Sequence, residues 1–322
     1  MSAASSPPEP QVSVLVVAYN SRRCITRAIA AIAPAARETA VEVLLVDNGQ
    51  DGTGDLVAEQ FPQVRIVPSQ GNIGFARGNN LLAMHARAPL LLLLNPDMYC
   101  EPGAIDALAA AARRYPDAVA WGGISLDAAG RPDTGNAIIV PSLRQYASAA
   151  LGRTLARRDR LQLTQDERAK VLLGGFVMIA RPAWDAAGGF DERFFLYCEE
   201  VDLFARMGKA GGKLWSIPAA RAQHELAHGE NLAPRRLLYM AAGTAEYLRK
   251  HWSAPKRTLG LGLLWLASCE RYLAGKLLAK WRPRLAALGD GHRLVATRPG
   301  LWLYGYDPVR GLKAKLDRGE AP

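Results

Sequence analysis

The sequence has few cysteines and no long apolar segment, and each absence excludes a class of protein. Four cysteines occur in 322 residues, and no two of them form a CxxC pair. This pattern favours reduced thiols in a cytoplasm over a disulfide framework or a structural zinc site. The apolar segment Leu259–Ser268 contains ten residues, two of them glycines, and is therefore too short to span a bilayer.

Motifs that would indicate three common ligand sites are missing as well. No GxGxxG follows the first apolar run and there is no Walker loop, so neither a Rossmann dinucleotide site nor a P-loop is predicted. The stretch DNGQDG begins at Asp47 like a calcium loop, but Ala58 stands where that loop requires a glutamate. Residues 1–10 lack the basic and apolar regions of a signal peptide, and we expect a disordered leader there.

Basic residues are concentrated in the last quarter of the chain. The formal net charge is +10, and residues 249–322 contain 15 lysines and arginines against 5 acidic residues. We expect an anionic membrane surface as the partner and no nucleic acid, because no helix-turn-helix or RNA-binding pattern is recognisable. Basic side chains on both sides of Leu259–Ser268 favour a helix at the membrane interface. A helix that packs on its own domain, or an oligomer contact, is the alternative.

Apolar runs alternate with helical patterns over the first hundred residues, and each run ends in polar residues. The polar ends are Asn20, Asp47, the loop around Asn72, and Asp97. This alternation predicts an α/β fold with a doubly wound, mostly parallel sheet and helices on both faces. Because ligands bind at the carboxyl ends of the strands in such sheets, we expect the polar ends to line a site.

The later segments are less regular but still predict a domain organisation. We expect helices from Ser21, near Leu81–Ala88 and from about Glu199 to Ala210, and a strand that ends at Pro218. Beyond residue 230 the pattern becomes helical and basic. The sequence therefore predicts a leader at 1–10, an α/β domain at 11–230 and a helical, basic region at 231–322 that associates with a membrane.

Five consecutive leucines, Leu90–Leu94, stop at Asn95-Pro96-Asp97. A short, wholly apolar run is typical of a strand buried on both faces. Pro96 ends this strand because proline has no N–H to donate to the sheet. Asp97 is a candidate ligand-binding carboxylate at the sheet edge; a plain turn is the alternative, since Asn-Pro-Asp is also good turn chemistry.

Glu199, Glu200 and Asp202 place three carboxylates within one turn of a predicted helix. Arg206 follows Asp202 by four residues, which predicts a structural ion pair. The helix dipole alone would favour the Glu199-Glu200 pair. Aromatic residues precede the pair, however, and an apolar environment would raise a carboxylate pKa towards the range of a general base.

Two histidines, His224 and His228, follow the strand that is predicted to end at Pro218. Imidazole is the commonest metal ligand among side chains, so His224 is a candidate ligand. On spacing alone, a structural hydrogen-bond partner is the more frequent role.

Six stretches along residues 11–228 resemble the inverting, GT-A-fold glycosyltransferases of family 2, especially the bacterial rhamnosyltransferase-like branch. They are VSVLVVAYNS, VLLVDNGQDGT, GNIGFARGNN, LLLNPD, GGFDERFFLYCEEVDLFAR and AQHE. No single stretch is specific to the family, but six in the family's order are. The resemblance implies a GT-A fold over about two-thirds of the chain.

The resemblance also implies roles for individual residues. Asp47 matches the residue that reads the nucleotide base, and the rest of the nucleotide-sugar site would comprise Ala18, Tyr19, Asn20, Asn72, Arg77, Asn95 and Asp97. Asp97 matches the last aspartate of the metal-binding DxD motif, and His224 matches a histidine that completes the metal shell in some members. The metal would be Mg²⁺ or Mn²⁺. Glu199-Glu200 matches the family's ED pair, whose second member is the usual base; Glu200 is therefore assigned, with Glu199 as the alternative because the family most often has Asp there.

The implied activity is inverting transfer of a sugar from a nucleotide donor to a saccharide acceptor in the synthesis of bacterial cell-surface polysaccharide. dTDP-L-rhamnose is the implied donor, and a UDP-hexose is the nearest alternative. The acceptor would be linked to polyprenyl diphosphate, so the enzyme would work in the cytoplasm, peripheral to the inner face of the cell membrane. Two hypotheses from different protein classes are a nucleotidyltransferase and a non-catalytic carbohydrate-binding relative. AYNSRRC lacks the glycine of a nucleotidyltransferase loop, and the presence of Asp97 and the Glu pair argues against a non-catalytic relative.

Overall fold

Runs of apolar, often β-branched residues form the strands of one mixed sheet. The structure, a computed structural model, describes residues 9–133, 136, 140–152, 164–225, 233–278 and 280–320. Within these residues nine strands pair in the order β3-β2-β1-β4-β8-β6-β9-β5, and β7 pairs with β9 from outside this path. Most of the predicted leader lies outside the described residues.

Four parallel strands form the first part of the sheet, as the alternating pattern predicts. In spatial order they are β3 (Arg65–Ile66), β2 (Val41–Asp47), β1 (Val12–Ala18) and β4 (Leu90–Leu94). Every residue of β1 is buried, and so are the last four leucines of β4. The prediction that the leucine run is an interior strand ending before Asn95 is confirmed, because β4 pairs on both edges.

The other strands make the sheet mixed. They are β5 (Met98–Cys100), β6 (Ala118–Leu126), β7 (Glu167–Ala169), β8 (Phe176–Ala180) and β9 (Lys213–His224). β8 runs antiparallel to β4 and β6, whereas β9 runs parallel to β6 and antiparallel to β5 and β7.

The prediction that a strand ends at Pro218 is wrong, because β9 continues to His224. Pro218 lies where the register with β6 shifts, between the pairs Gly122–Ser216 and Ile124–Arg221. A bulge tolerates a proline because the residue that lacks an N–H stands outside the ladder. The continuation of β9 is what carries His224 to the sheet edge.

Twelve α-helices are present within the described residues. They are α1 (Ile25–Ala30), α2 (Ile32–Ala35), α3 (Thr53–Gln60), α4 (Phe75–His85), α5 (Ala104–Arg114), α6 (Leu143–Ala150), α7 (Arg181–Ala187), α8 (Glu199–Lys209), α9 (Pro234–His251), α10 (Ala254–Leu278), α11 (Pro283–Thr297) and α12 (Leu312–Asp317). The helix predicted from about Glu199 is confirmed as α8.

Two predicted helix starts are wrong. α1 begins at Ile25 rather than after a Ser21 cap, because the Ser21 hydroxyl accepts the Tyr19 N–H instead of capping the helix. α4 begins at Phe75, before the predicted Leu81, because the Asn72 side chain accepts the Gly74 N–H and turns the chain into the helix. Arg77 therefore lies in the first turn of α4 and not in a loop.

The chain divides into two compact units. The first comprises Met1–Ile138, Arg160–Phe190 and Leu203–His228, and the second comprises Ile139–Asp159, Asp191–Asp202 and Gly229–Pro322. The first unit contains the sheet, and the second contains α9–α12 around the fully buried Trp302, whose indole N–H donates to the Val295 carbonyl at 3.0 Å. None of the helices described is long and apolar enough to cross a membrane. The boundary near residue 230 and the domain assignment stay predictions.

Candidate active site

Short backbone contacts join the first two strand ends in the first unit. Asp47, the last residue of β2, accepts the N–H groups of Gly49 and Gly54 at 2.9 and 2.7 Å. A Cβ at position 49 would lie 2.5 Å from the Asn20 nitrogen, so only glycine lets the two loops approach this closely. Asp47 therefore fixes its own loop, while each carboxylate oxygen keeps a lone pair for a ligand.

Asn48 connects three loops at the same edge. Its N–H donates to the Ala18 carbonyl at 2.8 Å, and its side-chain amide donates to the Gly74 carbonyl at 3.1 Å. Its side-chain oxygen accepts from the Ser69 hydroxyl at 3.2 Å. Sequence reasoning assigned no role to Asn48. An asparagine that hydrogen-bonds neighbouring loops and one that contacts a ligand look the same in the sequence.

The predicted nucleotide-sugar residues occupy different environments. A cavity of about 450 Å³ is lined by Asp47, Gly49, Gln50, Gly52, Gly54, Asp55, Ala58 and Ile66. Half-buried glycine backbone and two carboxylates suit a flat polar group such as a base with its ribose. Tyr19, Asn20, Asn72 and Arg77 are exposed and do not line this cavity. The structure thus groups Asp47 with its own loop and not with the Asn72 loop.

Asp97 and His224 are brought together by strand pairing. Asn95 and Met98 close a turn through a 3.1 Å backbone hydrogen bond. The segment is therefore a turn, and it also positions the Asp97 carboxylate. Met98 pairs with His224 across β5 and β9. The His224 Nε2 consequently lies 3.1 Å from the Asp97 carboxylate.

Asp133 is the residue that sequence reasoning missed. Its carboxylate is buried and lies 3.2 Å from the His224 Nδ1. Burial lowers the pKa of His224, but the hydrogen bonds with Asp133 and Asp97 outweigh burial and raise the pKa to about 9. No local signal indicates this role, because Arg131-Pro132-Asp133 has the composition of an ordinary turn.

The arrangement fits a divalent cation held by few protein ligands, which would displace the proton that a pKa of about 9 leaves on the His224 Nε2. Asp97 offers carboxylate oxygen, and Asp133 orients the His224 ring in the manner of carboxylate–histidine–metal sites. Nowhere in the part of the chain that the structure describes do three or more His, Cys, Asp or Glu side chains form a metal cluster. The remaining positions would then belong to diphosphate oxygens and waters, as Mg²⁺ prefers. His228 lies outside the described residues.

Glu199 and Glu200 lie at the start of α8, in the second unit. Within the described residues, both side chains have a buried Oε2 atom without a hydrogen-bond partner. Burial raises the pKa of Glu200 to about 7, against the opposing hydrogen bonds of nearby backbone N–H groups. Burial and the neighbouring Glu200 charge raise the pKa of Glu199 well above its ordinary value. A carboxylate that titrates near 7 is matched to general base work at neutral pH.

A strained turn positions the pair. Tyr197 and Cys198, which precede α8, have φ angles of 68° and 70°, a region that non-glycine residues enter only when their surroundings enforce it. α9 packs against this turn so closely that a Cβ at Gly243 would lie 2.3 Å from the Tyr197 carbonyl oxygen. The Tyr306 hydroxyl also donates to the Leu196 carbonyl, at 2.5 Å.

Asp202 is fully buried one turn into α8. Lys250 Nζ and His251 Nε2 each lie 2.7 Å from its Oδ1. Lys250 also contacts Asp191 at 2.7 Å, so α9 anchors the start of α8 through charge. The predicted ion pair between Asp202 and Arg206 stays a prediction, and the partner role of Lys250 had no signal in the local sequence.

Comparison with known proteins identifies a family and individual relatives of this chain. The family model described as glycosyl transferase family 2 matches residues 13–183. The Mycobacterium tuberculosis protein named N-acetylglucosaminyl-diphospho-decaprenol L-rhamnosyltransferase is 34% identical over 248 residues, 69% of this chain and 78% of that protein. Rhamnosyltransferase WbbL of Escherichia coli is 38% identical over 58 residues, 18% of this chain and 22% of that protein.

One solved structure tests the fold. The mannosyltransferase PcManGT from Pyrobaculum calidifontis, in complex with GDP-Man and Mn²⁺, aligns with a TM-score of 0.55 and 17% identity. The alignment covers 90% of this chain and 86% of that chain. At this identity the likeness is one of fold.

Proposed function

Because this chain belongs to glycosyl transferase family 2, we propose that it transfers an L-rhamnosyl group, with inversion, to a lipid-linked acceptor. The family and the GT-A fold implied by the sequence motifs are confirmed, and the chain is a glycosyltransferase. The observation that carries the proposal is the 34% identity over 248 residues with an enzyme named for rhamnosyl transfer. The acceptor class is N-acetylglucosaminyl diphospho-polyprenol, by analogy with that name, and the donor is dTDP-L-rhamnose.

The reaction is a single displacement at the anomeric carbon. The acceptor hydroxyl oxygen forms the new bond to that carbon, the bond from the carbon to the diphosphate oxygen breaks, and the nucleoside diphosphate leaves with the electron pair. Glu200 takes the proton of the acceptor hydroxyl, because its pKa of about 7 lets it be ionised yet basic at neutral pH. Glu199, whose pKa burial and the neighbouring Glu200 charge raise well above its ordinary value, is the alternative base.

Asp97 and His224 serve the leaving group. A divalent cation, Mg²⁺ or Mn²⁺, would offset the negative charge that develops on the departing diphosphate. The 3.1 Å separation of the two side chains and the Asp133 contact behind His224 support these residues as its protein ligands. Mn²⁺ in the mannosyltransferase complex is consistent with a divalent cation in this fold.

Asp47 and its loop serve the nucleotide base. The cavity of about 450 Å³ beside Asp47 and the free lone pairs of its carboxylate support this role. Ala18, Tyr19, Asn20, Asn72, Arg77 and Asn95 are proposed as further donor contacts from their positions at the strand ends and in the first turn of α4.

A lipid-linked acceptor requires the enzyme to act at a membrane face. We place it on the cytoplasmic side of the cell membrane as a peripheral protein, since the nucleotide-sugar donor is a cytoplasmic metabolite class and the C-terminal region carries the entire net charge of +10. Oligomerisation stays open.

Thermal-shift measurements with sugar nucleotides test donor and cofactor together. We expect dTDP-L-rhamnose with Mn²⁺ or Mg²⁺ to raise the melting temperature, and we expect UDP-hexoses and nucleoside triphosphates to have little effect. Asp97→Ala should remove the part of the shift that depends on the metal. Stabilisation by UDP-glucose alone would show that the donor is a UDP-hexose and not dTDP-L-rhamnose. Stabilisation by triphosphates alone would favour a nucleotidyltransferase. Absence of transfer with an intact donor shift would favour the non-catalytic relative.

A further inference from the structure

α10 presents a row of leucines to solvent. Leu259, Leu266, Leu273 and Leu277 are 54, 50, 54 and 72% exposed, and spacings of seven and four residues place them on one side of a helix. The row, called the leucine face here, is about 27 Å long at a rise of about 1.5 Å per residue. Leu278, the last residue of α10, and Trp281, which follows the helix, are exposed as well.

The other side of α10 belongs to the core of its own unit. Leu261 and Leu264 pack against that core, and Ala267 is buried. The Trp265 indole N–H donates to the Ala296 carbonyl at 2.9 Å. Of the segment Leu259–Ser268, which the sequence predicts to lie at a membrane interface, Leu259 and Leu266 lie on the leucine face. One side of the helix is therefore held by the fold, while the described residues leave the leucines of the opposite side at least half exposed.

Five cations accompany the leucine face without carboxylate partners among the described residues. Several cations elsewhere beyond residue 248 are paired with acids: Arg249, Lys250, Arg293, Lys313 and Arg318. By contrast, no ion pair with a described residue is formed by Lys256, Arg257, Lys276, Lys280 or Arg282. The single acid of α10, Glu270, turns towards Gly152 at the end of α6. Surplus positive charge thus lies near both ends of the leucine face.

A second copy of the chain fits this face poorly. Leu259, Leu266 and Leu273 repeat every seven residues, as in a coiled coil, but neither set of companion positions is apolar throughout: three residues later stand Gly262, Cys269 and Lys276, and four residues later the set Leu263, Glu270 and Leu277 contains a carboxylate. A coiled-coil seam requires apolar residues at both positions. Uncompensated cations on two such faces would also repel each other.

We propose that the leucine face of α10 docks on an anionic lipid surface, with the five cations Lys256, Arg257, Lys276, Lys280 and Arg282 against the headgroups. Amphipathic helices with an apolar side and basic flanks bind in this way. Each cation near an anionic surface strengthens binding about fivefold, and an exposed tryptophan such as Trp281 suits the interface. The inference stands on the surface alone and does not depend on the transferred sugar.

Vesicle sedimentation with the full chain tests the proposal. We expect binding to vesicles in which a third of the phosphatidylcholine is replaced by phosphatidylglycerol, and at least tenfold weaker binding to phosphatidylcholine alone. Binding should also fall at about 1 M salt, where the Debye length is about 3 Å. The variant Leu266→Ser with Leu273→Ser should bind at least tenfold more weakly, because burial of each half-exposed leucine is worth roughly tenfold. Lys276→Gln with Lys280→Gln should lose about 25-fold.

Met84→Ser provides the matched control, because Met84 is 75% exposed on α4 and its loss should leave vesicle binding unchanged. Equal melting temperatures will show that the variants fold, and the charge variant tests the proposal should the leucine variant not fold. Wild-type-like binding by either double variant would overturn the proposal. A wild-type dimer that the leucine variant converts to monomer would assign the face to a second copy and overturn it as well.

Discussion

Two acidic sites differ in whether their charges are compensated. One is the corner formed by Asp97, His224 and Asp133, and the other is the pair formed by Glu199 and Glu200. At the corner each carboxylate lies beside an imidazole nitrogen of His224, at 3.1 and 3.2 Å. In the pair, each glutamate keeps one buried oxygen without a hydrogen-bond partner among the described residues. One site stabilises ionised groups, whereas the other penalises them.

The difference follows from how each site is built. The corner arises from strand pairing between β5 and β9, which places polar side chains face to face. The pair arises from a strained turn packed against α9, with Glu199 buried and Glu200 half-buried beside it. The corner, where each carboxylate has a charged or polar partner, suits a cation that binds and leaves with its ligand. A carboxylate without such a partner suits proton transfer.

Glu200→Gln should give the largest effect, because it removes the basicity that the uncompensated site creates and keeps the shape of the side chain. We expect kcat to fall by about 10²–10⁴-fold, the usual worth of a general base. The thermal shift produced by donor and metal should stay within error of wild type. Steady-state rhamnosyl transfer and thermal shift measure the two properties separately.

Glu199→Gln is the matched partner for that experiment. It should keep most of the activity, because Glu200, the assigned base, stays in place and because burial disfavours the ionised form of Glu199. If Glu199→Gln is inactive and Glu200→Gln is active, the two roles must be exchanged. In wild type, kcat should rise with pH through about 7 as Glu200 loses its proton, and this limb should disappear in whichever variant lacks the base.

Asp133→Asn should weaken metal affinity without touching the metal directly. Removal of a carboxylate behind a histidine ligand typically costs about 10–100-fold in affinity, and the amide no longer favours the His224 form with a proton on Nδ1 and a lone pair on Nε2. The measurement is the Mn²⁺ concentration that gives half of the donor-dependent thermal shift. Asp117→Asn is the control, since Asp117 is exposed and pairs with Lys213. If Asp133→Asn needs the same Mn²⁺ concentration as wild type for half of the shift, Asp133 does not contribute to metal binding.

Gly243→Ala tests whether the strained turn sets the base. The new Cβ would lie 2.3 Å from the Tyr197 carbonyl, so the turn before Glu199 and Glu200 must shift. We expect roughly a tenfold loss of kcat, since small displacements of catalytic groups are costly, together with a displaced pH profile. Gly262→Ala on α10 is the control, because a Cβ there meets none of the described residues within 4 Å. A normal pH profile in Gly243→Ala would show that the turn has only a structural role.

Strand ends could be predicted from the sequence because their signals are local. The buried run Leu90–Leu94 and the proline after it fix β4 and the turn that carries Asp97 without any tertiary information. The Glu199-Glu200 pair was visible for the same reason, as adjacent carboxylates at a helix start. The comparisons confirmed the family that these motifs indicated.

Partners that depend on distant chain segments could not be predicted. Asp133 and His224 are 91 residues apart and meet only because β9 continues past Pro218. Lys250 reaches Asp202 from α9, 48 positions later in the chain. The left-handed backbone at Tyr197 and Cys198 also lacks a sequence signal, because the usual indicator of that conformation is glycine.

The smallest expected effect concerns stability, and it measures the penalty on charge directly. Glu199 binds its proton more tightly in the folded than in the unfolded chain, because its folded-state pKa lies well above 4.5. The free energy of unfolding therefore falls as pH rises above the unfolded pKa, by about 1.4 kcal/mol for each unit of pKa shift that the pH has crossed. Glu199→Gln mimics the protonated group at every pH. We expect the variant and wild type to melt alike at pH 4, below the unfolded pKa, and the variant to melt higher at pH 8, by a few degrees on the scale of about 2–4 °C per kcal/mol. Glu59→Gln, which removes an exposed carboxylate of α3, should show no such difference between the two pH values. If Glu199→Gln is less stable than wild type at pH 8, the ionised form of Glu199 must have a stabilising partner in solution. The pair would then not differ from the Asp97 corner in how its charge is compensated.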